Sequence, residues 1–410
     1  MADVAATRRD LLRMLDAAIA AVNGRGCVAR ALKGEALAGP VYVLAIGKAA
    51  VPMMQGAIDA LGQAIADALV VTKDAGGVTL DYPVLETGHP VPDARSLAAG
   101  DRVLAFVEAI PASGRVLVLL SGGASALVEK LVPGVDLAML QQFTQWLLAG
   151  GFDIATMNRL RKRLSLIKGG RLAQLLSPRK TLCLAISDVA GDAPTAIGSG
   201  PLTADASAEP DVAALPDVVR AALRAAPPLP APSDPCFVHV DFRIVATLAD
   251  AKQAAAAEAK RLGYRVAVEP QFVDDDALAT GARLARELCD ATSDVIHIWG
   301  GETTVRLPAR PGRGGRNQSL ALAAAAELAG TTSVVLLSAG TDGTDGPTED
   351  AGALVDGGTI ARGAQQGLDA RAALAAADAG TFLEASGDLI HTGPTGTNVC
   401  DVVVLLAGRP

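Results

Sequence analysis

The feature that most constrains this chain is the alternation of strand-sized apolar runs with alanine-rich helical stretches. The runs Val41–Ile46, Ala68–Thr72, Arg115–Leu120, Thr181–Ile186, Arg243–Thr247, Arg265–Val268, Asp294–Ile298, Ser333–Leu337 and Val402–Leu406 are four to six residues long. Their near-continuous apolar character, without a polar face, fits strands covered on both sides, as in parallel sheets. Between them lie the helical stretches Ala94–Ala109, Leu137–Ala149, Asp250–Leu262, Leu278–Ala291 and Gln318–Leu328. That order predicts an α/β fold built on largely parallel sheet. Aromatic residues make up 3% of the chain, so alanine and aliphatic side chains must do the packing of helix on sheet.

The length of 410 residues corresponds to two or three domains at about 150 residues each. The run Pro227–Pro235 holds five prolines, lacks amide donors for a sheet and prefers an extended chain. It predicts a domain boundary near Ser233, with domains over residues 1–233 and 234–410; the alternative is a surface loop inside one domain.

A formal charge of −8 argues against nucleic acid or an anionic membrane as partner. With 50% hydrophobic and 20% charged residues the chain is not disordered. Nor does any apolar run reach the ~18 residues that would span a bilayer. The five cysteines are scattered and form no C-x-x-C pair, and the four histidines do not cluster, so neither a disulfide framework nor a zinc site is indicated. The first residues, through Arg13, carry acids and no apolar signal core. These readings together predict a soluble, cytoplasmic protein, and leave a homo-oligomer open.

The chemistry collects where strands end. Val41–Ile46 runs into Gly47-Lys48, Arg115–Leu120 into Ser121-Gly122-Gly123-Ala124-Ser125, and Thr181–Ile186 into Ser187–Asp192. Asp294–Ile298 runs into Gly300–Thr304, and Ser333–Leu337 into Ala339–Gly346. Ligands of open parallel sheets sit beyond the carboxyl ends of the strands, so five such loops on one edge predict one shared polar cleft. Glycine loops expose N–H groups suited to phosphate oxygens. A lysine directly after a buried strand is costly unless it meets an anion or snorkels to water. The Ser121–Ser125 segment reads as a cradle for phosphate or carboxylate, or as an ordinary helix N-cap. Asp188, Asp192, Glu302, Asp342 and Asp345 are candidates for ligating Mg²⁺ or accepting a hydroxyl proton, though each alone could brace a loop. Arg316 and Asn317, in Arg313-Gly-Gly-Arg-Asn-Gln318, suit an anion with two oxygens. The basic run Arg159–Arg163, followed by Lys168, has the spacing of a solvated helix face, part of which could turn toward the ligand. No P-loop motif, no G-x-G-x-x-G after the first strand and no G-x-S-x-G elbow occurs.

Several stretches nonetheless resemble a known family. They are Ala45–Ala49, Gly88–Asp93, Leu120–Ala126, Ile167–Leu172, Ser187–Asp192, Ile197–Pro201, Gly300–Val305, Gly314–Gln318, Gly340–Gly346 and Thr392–Asn398. In this order they are similar to the motifs of the MOFRL-type glycerate 2-kinases, some of which carry the older label hydroxypyruvate reductase. The resemblance implies an N-terminal Rossmann-like α/β domain and a smaller C-terminal MOFRL-type α/β domain, with the active site between them and the final segment able to pack back on the first. It also implies transfer of the γ-phosphoryl group of ATP to the 2-hydroxyl of D-glycerate with a divalent cation, Mg²⁺. The family's essential lysine and arginine carry over to Lys48 and Arg316. Joined with the reading of the loops, this makes Asp188 the acceptor or orienter of the substrate hydroxyl and Ser121–Ser125 the anion cradle. Asp192, Glu302 and Asp342 compete for the metal. The alternatives are an NAD(P)H-dependent hydroxypyruvate reductase and a non-catalytic binder of a small acid or nucleotide.

Overall fold

In the first sheet the apolar runs Val41–Ile46, Arg115–Leu120 and Thr181–Ile186 pair in parallel as predicted, whereas in the second the runs that contain Ser338 and Val403 pair antiparallel, against that expectation. The computed structural model describes residues 4–35, 37, 39–149, 154–206, 215–289, 295–332 and 334–407. It divides into two compact units: Gly24–Val245, and Met1–Asn23 together with Ala246–Pro410. Asp290, Ala291, Asp294 and Ser333, at the ends of three predicted elements, lie outside the described residues.

The first unit carries β1 (Val41–Ile46), β2 (Ile65–Thr72), β3 (Val84–Glu86), β4 (Arg115–Leu120), β5 (Thr181–Ile186) and β6 (Val240–Ala246). Their order across the sheet is β3-β2-β1-β4-β5-β6, a Rossmann-like arrangement. β1 pairs in parallel with both β2 and β4, in register from Val41 opposite Arg115 to Ile46 opposite Leu120. The chain therefore leaves β1 on one side, builds β2 and β3, and returns to the other side as β4. That reversal opens a crevice above the carboxyl ends of β1 and β4.

The helix Ala94–Ala109 is started by Asp93, whose carboxylate accepts from the amides of Arg95 and Ser96 while Ser96 closes a capping box. Its Val103 and Val107 pack with Leu44, Val118 and Leu120 in the sheet core.

The basic run is not a solvated face. Lys168 and Glu129 are each 1% exposed and form an ion pair with each other. Lys162, also buried, bonds Asp205 at 2.6 Å and the carbonyl of Thr195 at 2.9 Å. Arg171 donates to the carbonyls of Ser165 and Pro227. Burial pulls the Lys168 ammonium below its ordinary pKa, against the opposing pull of Glu129. Removing one member of a buried pair strands the other, at about 3 kcal/mol or more. Lys168→Met is therefore expected to lower the urea midpoint sharply, and Lys168→Met with Glu129→Leu to recover most of the loss. Equal stability of the single variant and the parent would refute the pairing.

The second unit holds β7 (Arg265–Val273), β8 (Val295–Gly301), β9 (Val334–Gly340), β10 (Gly352–Asp356), β11 (Leu389–Ile390) and β12 (Asp401–Ala407). The order is β11-β10-β9-β12-β8-β7. β7 runs parallel to β8, whereas β12 lies between β8 and β9 and is antiparallel to both. The N-terminal helix Val4–Ala21 packs here, burying Thr7, Leu11, Met14, Leu15 and Ala18 along one face. Arg8 bonds Asp356 at 2.6 Å and Asp388 at 2.9 Å, and Tyr264 donates to Asp10 at 2.8 Å.

Three expectations change. The division falls between Val245 and Ala246 rather than near Ser233, because the proline run leads into β6, which completes the first sheet. Residues 4–23 join the C-terminal unit, and the final segment is the inner strand β12 of that unit's own sheet. Finally, the five glycine-rich loops do not share one edge: three follow strands of the first sheet and two follow β8 and β9 of the second.

Candidate active site

In the first unit the loops after β1 and β4 lock together. Gly47 has φ 135°, and a Cβ there would stand 2.1 Å from Ser121 Oγ and 2.6 Å from its carbonyl oxygen. Only glycine permits that approach. The Lys48 amide donates to the Gly122 carbonyl at 2.9 Å, and the Ala49 amide to Ser121 Oγ at 3.0 Å. Ser121 is fully buried, so it braces the β1 loop and caps no helix. Gly123, left-handed at φ 84°, precedes the short helix Ala124–Leu127 without any side-chain cap. A Cβ on Gly123 would meet His89 Cδ2 at 3.0 Å and Lys48 Cγ at 3.2 Å. Lys48, the Gly122-Gly123 turn and His89 thus converge at the topological switch point. His89 was not among the candidate residues; its signal is its place three residues beyond β3, on the same edge. Asp188 and Asp192 are half-buried in the loop after β5, on that edge too. Ser125 Oγ lies 2.9 Å from Ser199 Oγ.

In the second unit the helix Arg316–Leu328 begins at the second cluster. Its cap, Gly315, supplies no side chain; a Cβ there would fall 2.3 Å from Asp345 Cγ. Asp345 does the capping instead, accepting from the amides of Asn317 at 3.1 Å and Gln318 at 2.8 Å. Arg316 Nε and Nη2 grip the two oxygens of Asp401 at 2.6 and 3.0 Å, while Nη1 donates to Glu302 at 2.7 Å. Asp401 is buried and Glu302 is 49% exposed. Burial acts to lower the Arg316 pKa, but Asp401 and Glu302 outweigh it and hold the guanidinium charged. Asn317 is 2% exposed: its amide nitrogen reaches Asp345 at 3.4 Å and its oxygen accepts from Ser338 at 2.7 Å. It braces the helix start. Asp342 accepts from the amide and hydroxyl of Thr344 at 3.0 and 3.1 Å. A Cβ on Gly340 would lie 3.4 Å from Asp342 Oδ1 and 3.5 Å from Asp401 Oδ1, so both acids share this edge with Arg316.

Asp401 escaped the sequence reading. β12 runs against β8 and β9, so its first residue sits opposite their last, Gly301 and Gly340. An aspartate opening an apolar run was the available signal. Among the described residues no group of three or more His, Cys, Asp or Glu side chains could hold a metal, and no helix is long and apolar enough to cross a membrane.

Asp345 also carries a pH prediction. Burial, with Asp401 adding to it, pushes its carboxyl up to about 7 against the pull of two amides and Arg316. The folded state then keeps a proton that the unfolded chain releases near the ordinary carboxylate pKa. Stability from this group is complete below about pH 4 and lost as pH rises toward 7, by up to a few kcal/mol at about 1.4 kcal/mol per unit. Denaturant midpoints measured from pH 4 to 8 are expected to show this slope, and Asp345→Asn to lack it. Parallel profiles for the two proteins would rule it out.

The comparisons with known proteins agree with this architecture. Residues 10–228 match the family described as domain of unknown function (DUF4147), and residues 295–401 match the MOFRL family. The D-glycerate 2-kinase of Thermotoga maritima is 37% identical over 382 residues, covering 89% of this chain and 90% of that protein. An Agrobacterium vitis protein named putative hydroxypyruvate reductase is 36% identical over 423 residues, covering 99% of this chain and 95% of its own. The solved structure of the Thermotoga maritima glycerate kinase superposes with a TM-score of 0.86 at 35% identity, covering 98% of this chain and 99% of that one. With one domain model spanning more than half of the chain and the other most of the remainder, this protein belongs to the DUF4147–MOFRL family.

Proposed function

We propose that the chain is an ATP-dependent kinase that phosphorylates D-glycerate at its 2-hydroxyl, releasing 2-phosphoglycerate and ADP. The observation that carries this reading is the switch point of the first sheet, where a lysine and a glycine turn with a left-handed Gly123 meet at the carboxyl edge. Such a place suits phosphate chemistry, and the relatives named for glycerate phosphorylation specify the acceptor.

Phosphoryl transfer asks for positioning and charge neutralisation rather than covalent help from the protein. Lys48 would neutralise phosphoryl oxygens, and the amides of Gly122 to Ser125 would cradle an anionic group. Asp188 would orient the substrate hydroxyl and take its proton. Arg316 would grip phosphoryl or carboxylate oxygens through Nη1 by giving up half-exposed Glu302, while the buried Asp401 keeps the guanidinium aimed. Mg²⁺ takes hard oxygen donors, and one or two carboxylates beside substrate phosphates suffice to bind it. Asp192, Glu302 or Asp342 would each offer such an oxygen, singly or in a pair, since no cluster of three metal-competent side chains occurs among the described residues. When bound, the ion would offset negative charge on the phosphates. Among the described residues no cysteine forms a disulfide, which is compatible with the reducing setting proposed here.

The test is product identification. Protein incubated with D-glycerate, ATP and Mg²⁺ is expected to yield ADP and the 2-phospho isomer, resolved from the 3-phospho isomer by ³¹P NMR. The 3-phospho isomer, or stoichiometric NADH oxidation with hydroxypyruvate and no ADP, would overturn the proposal.

A further inference from the structure

The segment Ile197-Gly-Ser-Gly-Pro201 makes a turn in which three successive residues are left-handed: Gly198 at φ 56°, Ser199 at φ 64° and Gly200 at φ 60°. Glycine adopts that region freely, whereas an L side chain crowds the backbone there. The middle position nevertheless carries a serine. Its conformation is imposed from several sides. The Ser199 amide donates to Ala196, and the Ser199 and Gly200 carbonyls accept from the amides of Gly169 and Gly170 at 3.1 and 2.8 Å. The buried Lys162 ammonium clamps the Thr195 carbonyl while paired with Asp205. Residues held against their preference by so much surrounding structure concentrate where a ligand is bound.

What the turn achieves is to bring the Oγ of Ser199, a residue 6% exposed, to 2.9 Å from Ser125 Oγ on the helix that follows the Gly122-Gly123 turn. Two hydroxyls share one hydrogen between them and leave a second to donate. Among the described residues neither hydroxyl has another partner, and Ser125 is only partly buried. The unused O–H therefore lies two residues along the chain from Gly123, whose turn meets Lys48. We propose that the Ser125–Ser199 hydroxyl pair binds an anionic oxygen of the substrate complex, a phosphate of the nucleotide or the carboxylate of glycerate, with Ser199 as an unassigned ligand-binding residue. This rests on the kinase reading for the identity of the ligands.

Ser199→Gly separates a binding role from a structural one, because glycine relieves the backbone while deleting the hydroxyl. The full-length variant is expected to melt at a higher temperature than the parent. Its kcat/KM is expected to fall by about 10- to 100-fold, the usual effect of losing a hydrogen bond to a charged group. Calorimetric titration with ADP and, separately, with D-glycerate assigns the source: the ligand whose Kd rises is the one the pair touches. Ser125→Ala is expected to weaken the same ligand. Unchanged Kd values for both ligands in Ser199→Gly, or a drop in its melting temperature, would overturn the proposal and leave the kinase reading intact. A parent protein that binds neither ligand would overturn both.

Discussion

Lys48→Ala is expected to lower kcat by about 10²- to 10³-fold while moving the melting temperature little. The magnitude is that of removing one preorganised charge or donor from developing negative charge in a water-poor site. The backbone amide at position 48 donates to Gly122 at 2.9 Å, and alanine keeps that bond, so the loop is expected to hold its course. The side chain stands half-buried at the loop and is not part of the sheet core. Initial rates of ADP release at saturating D-glycerate, with calorimetry alongside, decide it. A rate within threefold of the parent would remove Lys48 from the chemistry. Lys48→Arg is expected to recover only part of the rate, since a planar fork cannot stand in for a compact ammonium.

The second large effect is expected at Asp401. It holds Arg316 by two parallel bonds and is itself buried, so Asp401→Ala leaves a largely desolvated guanidinium with only the half-exposed Glu302. Breaking such a pair costs about 3–5 kcal/mol. In a unit of this size that amounts to a fall in melting temperature of about 10 °C, with kcat/KM falling as well. The double variant Arg316→Met with Asp401→Leu discriminates between the two consequences. It removes both charges, and it is expected to regain most of the stability while remaining inactive. If Asp401→Ala melts like the parent, the grip seen in the structure contributes nothing to the fold. If the double variant turns over normally, Arg316 is not part of the site.

How much of this was legible beforehand depends on what each signal encodes. Val41–Ile46, Arg115–Leu120 and Thr181–Ile186 match β1, β4 and β5 residue for residue, since a continuous apolar run ended by glycine or serine states both the strand and its exit. The β10 segment Gly352–Asp356 went unread because a glycine and an aspartate bracket only three apolar residues, and the two-residue β11 because it is too short to stand out. Gly47, Lys48 and Ser121–Ser125 were visible because a loop after a buried strand has few uses for such residues. Asp401 was invisible for a different reason: its position depends on β12 running backwards between two strands, and residue order does not state strand direction. The basic run was misread because its partners, Glu129 and Asp205, lie 39 and 43 residues from the cations they bind. A periodicity window cannot contain both ends of such a pair.

The N-terminal helix has a consequence for biosynthesis. Thr7, Leu11 and Met14 are synthesised ahead of the whole Gly24–Val245 unit, yet the strands and helices that cover them begin only after Ala246. On the ribosome this amphipathic segment waits, its oily stripe uncovered, while a complete neighbouring unit of more than two hundred residues is made. Deleting it would damage the half of the molecule encoded last, and relocating it by circular permutation to follow the final strand would let each half be translated in one piece.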